Sequence, residues 1–135
     1  MKEKEETVDA LILEEDPSVV EWVKEALETR SYTVSTLSEK EEAWGFLRRK
    51  HCPLAIVGRS AGAESEIGLL KELVKASPMT SVILLSDLTE QEVHEKTEGY
   101  GILGHISRKD ALKDLFLFVD QFEEIARIIP RPRKE

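Results

Sequence analysis

Apolar residues along this chain fall into short unbroken runs, separated by segments in which they recur every three or four positions. The runs 8–13, 54–57 and 82–85 are rich in Leu, Ile, Val and Ala. Successive side chains of a strand point to opposite faces, so a run without polar alternation predicts a strand covered on both sides. Residues 32–37 alternate in the β-branched manner of a fourth strand, and Gly104-His105-Ile106 predicts a short fifth. Between them, Val19, Val20, Val23, Ala26 and Leu27, then Ala43, Phe46 and Leu47, then Leu69, Leu70, Leu73 and Val74 repeat at helical spacing. Asp16-Pro17-Ser18 supplies an N-cap with proline at the first helical position, while Ser38 with Glu41 and Thr89 with Glu92 have the spacing of capping boxes. Five strand-helix units in this order predict one doubly wound α/β domain with a five-stranded parallel sheet over residues 8–129. The charged stretch 1–7 is expected to be disordered. Residues 130–135, rich in Pro and Arg, are expected to be a linker stub leading to a downstream effector.

The last helix, expected over 110–129, is longer than its sheet requires, since about twenty residues reach ~30 Å. Leu112, Leu115, Val119, Phe122, Ala126 and Ile129 form one apolar row, and Ala111, Phe118 and Ile125 a second beside it. One row covers the sheet. The second either broadens that core stripe or joins a partner, and a homodimer or signalling contact through Ala111, Phe118 and Ile125 is the expectation carried forward.

The sequence has 135 residues and a net charge of −8, which disfavours direct binding to nucleic acid or to an anionic membrane. Its apolar runs are too short to span a bilayer and the first residues lack a signal-peptide core, so a cytoplasmic protein is expected. Cys52 is the single cysteine and reads as an ordinary thiol ahead of a strand. Phosphate loops, dinucleotide fingerprints and Cys/His metal spacings are missing, so neither a cofactor nor a resident metal is expected.

The carboxyl ends of parallel strands are where binding and chemistry gather. Here the first strand ends in Glu14-Glu15-Asp16, the third in Gly58-Arg59 and the fourth in Ser86-Asp87. The segments Leu11-Ile12-Leu13-Glu14-Glu15-Asp16-Pro17 and Val82-Ile83-Leu84-Leu85-Ser86-Asp87, in this order within five strand-helix units, resemble the receiver domain of two-component response regulators from Val8 to Ile129. That resemblance implies a flavodoxin-like fold. It also implies an acidic pair and an acceptor aspartate that hold magnesium while the aspartate is phosphorylated, then a hydroxyl, a lysine and an aromatic switch residue that respond.

Several of those positions differ in this chain. Arg59 stands at the acceptor position, and a guanidinium is neither nucleophile nor magnesium ligand. Glu14 and Glu15 stand for the acidic pair, Ser86 for the hydroxyl, His105 for the aromatic and Arg108 for the lysine, with Lys109 in place of the following proline. The expectation is a degenerate, non-enzymatic receiver that is not phosphorylated and acts through protein contacts in transcriptional signalling, with Arg59 bonded to Glu14 or Glu15 as an internal cation, the alternative being an Arg59 that swings out to solvent. A pseudo-receiver that senses a small molecule is the alternative. A remoter one is a serine hydrolase, because Gly58-Arg59-Ser60-Ala61-Gly62 matches the G-x-S-x-G turn between a strand and a helix.

Overall fold

A computed structural model describes residues 8–60, 63–107 and 112–127. The expected segments 1–7 and 130–135, and Arg108, Lys109 and Ala111, lie outside them. The elements are β1 (Val8–Leu13), α1 (Pro17–Thr29), β2 (Tyr32–Leu37), α2 (Lys40–Arg49), β3 (Leu54–Val57), α3 (Glu66–Ala76), β4 (Ser81–Leu85), α4 (Glu90–Lys96), β5 (Gly104–Ile106) and α5 (Leu112–Ala126). All strand pairings are parallel, in the order β2-β1-β3-β4-β5. This is the doubly wound sheet expected from the pattern.

The period of two explains how the three central strands serve both faces. Ala10, Ile12, Leu54, Ile56, Ile83 and Leu85 point to one side and pack with Val23, Leu27, Leu115, Val119 and Phe122 of α1 and α5. Leu11, Leu13, Ala55, Val57, Val82 and Leu84 point to the other, against Ala43, Leu69, Leu70, Leu73 and Val93 of α2, α3 and α4. Past Asp9 and Ser81 at their starts, the central runs therefore lack polar positions because neither face meets water. Edge strand β2 keeps Thr33 and Thr36 exposed.

Helix starts follow local chemistry. Asp16 accepts a hydrogen bond from Ser18 N at 2.9 Å, with Pro17 at the first turn. Thr89 and Glu92 form a complete capping box on α4, and the backbone bond holds the Glu92 carboxyl below its usual range. The box expected from Ser38 and Glu41 does not form. Glu39 is the N-cap of α2 and makes no side-chain bond there, while the Ser38 carbonyl accepts the Ser60 hydroxyl at 2.9 Å.

The last helix also differs from expectation. It stops at Ala126, where Arg127 turns into the left-handed region at φ 57°, short of the expected residue 129. Its 15 described residues rise about 22 Å, and positions 110, 111, 128 and 129 of the expected helix lie outside the described residues. No helix among the described residues is long and apolar enough to cross a membrane.

Candidate functional site

Strand order reverses between β1 and β3, so the crevice outside their carboxyl ends is the natural binding position of this architecture. The β1–β3 ladder runs on into that crevice. Gly58 N donates to the Leu13 carbonyl at 2.9 Å, and Glu15 N donates to the Arg59 carbonyl at 2.8 Å.

Glu14, only 1% exposed, closes this arrangement. Its Oε1 accepts from Arg59 N at 3.0 Å and its Oε2 from Asp16 N at 2.9 Å. Burial of a carboxylate is tolerable when charge-assisted bonds reach its oxygens. Main-chain N and O of Arg59 are thus both engaged, one by the Glu14 side chain and one by the Glu15 backbone.

The Arg59 side chain goes elsewhere. It is 53% exposed, with Nε 3.7 Å from Glu66 Oε2 and Nη2 3.5 Å from Asp87 Oδ2. The expected pairing of its guanidinium with Glu14 or Glu15 is therefore replaced by pairing with Glu66 and Asp87. Both Glu14 oxygens already hold backbone N–H groups, and the exposed Glu15 offers no buried counter-charge. Glu66 in the first turn of α3 and Asp87 just after β4 let the long side chain stay hydrated while paired. Sequence reasoning overlooked these two carboxylates. The available signal was their position, because both lie at the carboxyl edge of the sheet beside Arg59.

Two hollows flank this centre. An open groove of ≈490 Å³ is lined by Glu14, Glu15, Val20, Lys24 and Ser38 among others. A smaller one of ≈320 Å³ lies over Arg59, Ser60, Ser65 and Glu66. The magnesium ion that the resemblance implies does not suit these residues: a divalent cation would have to compete with two N–H groups for Glu14 and sit beside the carbon stem and charge of Arg59. Among the described residues, no group of three His, Cys, Asp or Glu side chains is arranged to hold a metal ion.

Ser86 is buried, and its hydroxyl accepts from Leu88 N at 3.0 Å, so it closes the turn after β4. His105 Nε2 lies 3.1 Å from the Ser86 carbonyl. A carbonyl only accepts, so Nε2 carries the proton there. Ser60 is also buried and donates to Ser38 O. No hydrogen bond among the described residues joins it to a histidine: His51 precedes β3 at the opposite end of the sheet, His94 is exposed on α4, and His105 is committed to Ser86. Among the described residues, the G-x-S-x-G serine is thus bonded to the Ser38 carbonyl and the three histidines lie elsewhere.

On α5 burial divides the apolar residues without following the two expected rows, since Leu117 belongs to neither. Leu115, Val119 and Phe122 are core, while Ile125 is 73% exposed and Leu117 51% exposed. Phe118 lies flat against Gly104, where an added Cβ would come within 2.5 Å of the ring, so this member of the second row is packed on β5. One flank of α5 is tied to β2 and the end of α1. Arg30 pairs with Asp120 and Glu123 and lies 5.4 Å from the Phe116 ring centre, and the Tyr32 hydroxyl donates to Glu123 at 2.7 Å. Burial and this bond raise the Tyr32 phenol well above its ordinary pKa. Leu117 and Ile125 remain outside that tie.

No protein-family model matches the sequence. Response regulator GtcR of Aneurinibacillus migulanus is 30% identical over 74 residues, 55% of this chain and 31% of that protein. The chain thus spans about a third of the length of this curated relative. A response regulator from Thermotoga maritima is 25% identical with a TM-score of 0.75, the match covering 87% of this chain and 98% of that one. NtrX from Brucella abortus is 17% identical with a TM-score of 0.77, but 90% of this chain corresponds to only 28% of it. With five parallel strands in the order 2-1-3-4-5 and a helix after each, the chain has the flavodoxin-like receiver fold seen in response regulators.

Proposed function

We propose that this chain is an atypical receiver module that regulates through protein contacts without aspartyl phosphorylation. The observation that carries this reading is Arg59 just beyond β3, where the resemblance expects the acceptor, with its backbone N–H on Glu14 and its side chain paired to Glu66 and Asp87. A guanidinium cannot accept a phosphoryl group, and the carboxylate that would help hold a metal is already engaged. The test is incubation with acetyl phosphate and magnesium, followed by intact mass measurement. The unmodified mass is expected; a hydroxylamine-labile gain of one phosphoryl group would overturn the reading. Arg59→Asp asks whether the pocket is a lapsed site, since magnesium-dependent labelling of that variant alone would show that the remaining residues still support the transfer.

The contact surface in this reading is α4, β5 and α5, with Arg108 and Ala111 as further expected members. A homodimer through the outer side of α5 is supported by the exposure of Leu117 and Ile125. A downstream effector in a longer polypeptide is supported by the small share of GtcR and NtrX that the chain covers, and transcriptional control is the proposed output. The net charge of −8 argues against direct nucleic-acid binding by the domain itself.

A second reading, small-molecule sensing, draws on the ≈490 Å³ groove, which joins carboxylates, Lys24 and the apolar Val20. A ligand that binds only the native state raises its melting temperature, so a thermal-shift screen on wild type and Lys24→Ala separates the two. A shift lost in the variant would favour sensing, and no shift would leave the contact module.

A further inference from the structure

We propose that Arg59 and His105 form a two-sided clasp on the turn that follows β4, holding residues 86–89 in one conformation without a bound phosphoryl group. On one side, the Arg59 guanidinium reaches both Glu66 and Asp87, so it joins the start of α3 to the turn. From the other side, His105 on β5 donates Nε2–H to the Ser86 carbonyl at 3.1 Å, and the Ile106 carbonyl accepts from Ser86 N at 3.1 Å. Within the turn, Leu88 N is fixed on Ser86 Oγ at 3.0 Å. His105 is next to Gly104, against which Phe118 of α5 rests. The turn is therefore bonded both to the crevice and to the strand that supports α5. The clasp deepens the proposed function, since it rests on Arg59 serving as a fixed cation instead of yielding to a phosphoryl group.

Each arm is individually weak. The Arg59–Asp87 pair is half-exposed and near the distance limit for an ion pair, so its loss shifts a local opening equilibrium by about two- to fivefold. Native-state amide exchange at Leu88 in the full 135-residue chain reads that opening directly. Arg59→Gln and Asp87→Asn, both at exposed side chains, are each expected to raise exchange at Leu88 by about two- to fivefold. The double variant is expected to rise no further than either single, the signature of a direct pair. High salt is expected to speed exchange in wild type but not in Arg59→Gln. His105→Phe, which keeps a ring but loses the donor, is expected to add to the effect of Arg59→Gln.

Unchanged exchange at Leu88 in Arg59→Gln and Asp87→Asn, or fully additive effects in their double variant, would overturn the clasp. No effect of His105→Phe would overturn its two-sided form. The result is distinct from the acetyl phosphate test: phosphorylated wild type sinks the proposed function, whereas unlabelled protein with unaltered exchange sinks the clasp alone.

Discussion

Burying a carboxylate as deeply as Glu14 costs several kcal/mol unless hydrogen bonds reach its oxygens. In this chain those bonds come from Arg59 N and Asp16 N, and both donors lose their acceptor if the side chain is cut back. Glu14→Ala is expected to destabilise the fold by about 2–4 kcal/mol, read as a lower urea midpoint at unchanged slope. Glu14→Gln should recover part of that loss, because one amide oxygen can still accept while the NH₂ group cannot. Cys52 has a pH signature. Burial, partly offset by a backbone hydrogen bond at Leu54 that favours the thiolate, raises the thiol from 9.0 to about 12. The folded state thus keeps the proton longer than the unfolded chain. The associated stability is fully present below about pH 9 and is lost as pH rises toward 12. Alkaline denaturation curves for wild type and Cys52→Ala should converge over that interval; parallel curves would contradict the burial effect.

Among the elements, β5 and α5 are the most tightly matched pair, since Phe118 occupies the space that any side chain at position 104 would need. Gly104→Ala is expected to cost about 1–3 kcal/mol through overpacking, with Phe118→Leu on that background recovering part of it. Equal midpoints for Gly104→Ala and wild type would show that the ring moves aside freely. This close fit was invisible in the sequence, where Gly104 is simply the first residue of a short strand. The strands themselves were legible because a parallel sheet covered on both faces writes its burial as continuous apolar runs. The Asp16-Pro17 and Thr89/Glu92 caps were legible because their bonds are local. Ser38 misled because α2 takes Glu39 as its N-cap, which puts Ser38 one residue outside the helix, with its carbonyl holding the Ser60 hydroxyl. An Arg59 turned to solvent was one of two readings of the sequence, but its partners were illegible: Glu66 and Asp87 reach it only through the tertiary fold.

For the whole molecule, the question is what meets the outer side of α5. Leu117 and Ile125 stand eight residues apart, about two helical turns, on the side left outside the Arg30 and Tyr32 tie. If copies of the chain pair there, sedimentation equilibrium should give a dimer mass for wild type, and Ile125→Glu should give a monomer with its stability changed by no more than about 0.5 kcal/mol. A monomeric wild type at the highest soluble concentration would remove the homodimer from the proposed function. The crevice bears differently on how such a domain can change. Position 59 is fastened through its amide and carbonyl, and its side chain leaves for the solvent edge. It works as a socket whose fitting is made of main chain and whose plug is interchangeable. Replacing the plug alters the charge displayed at the mouth of the sheet while the main-chain bonds that close the socket need no particular side chain there.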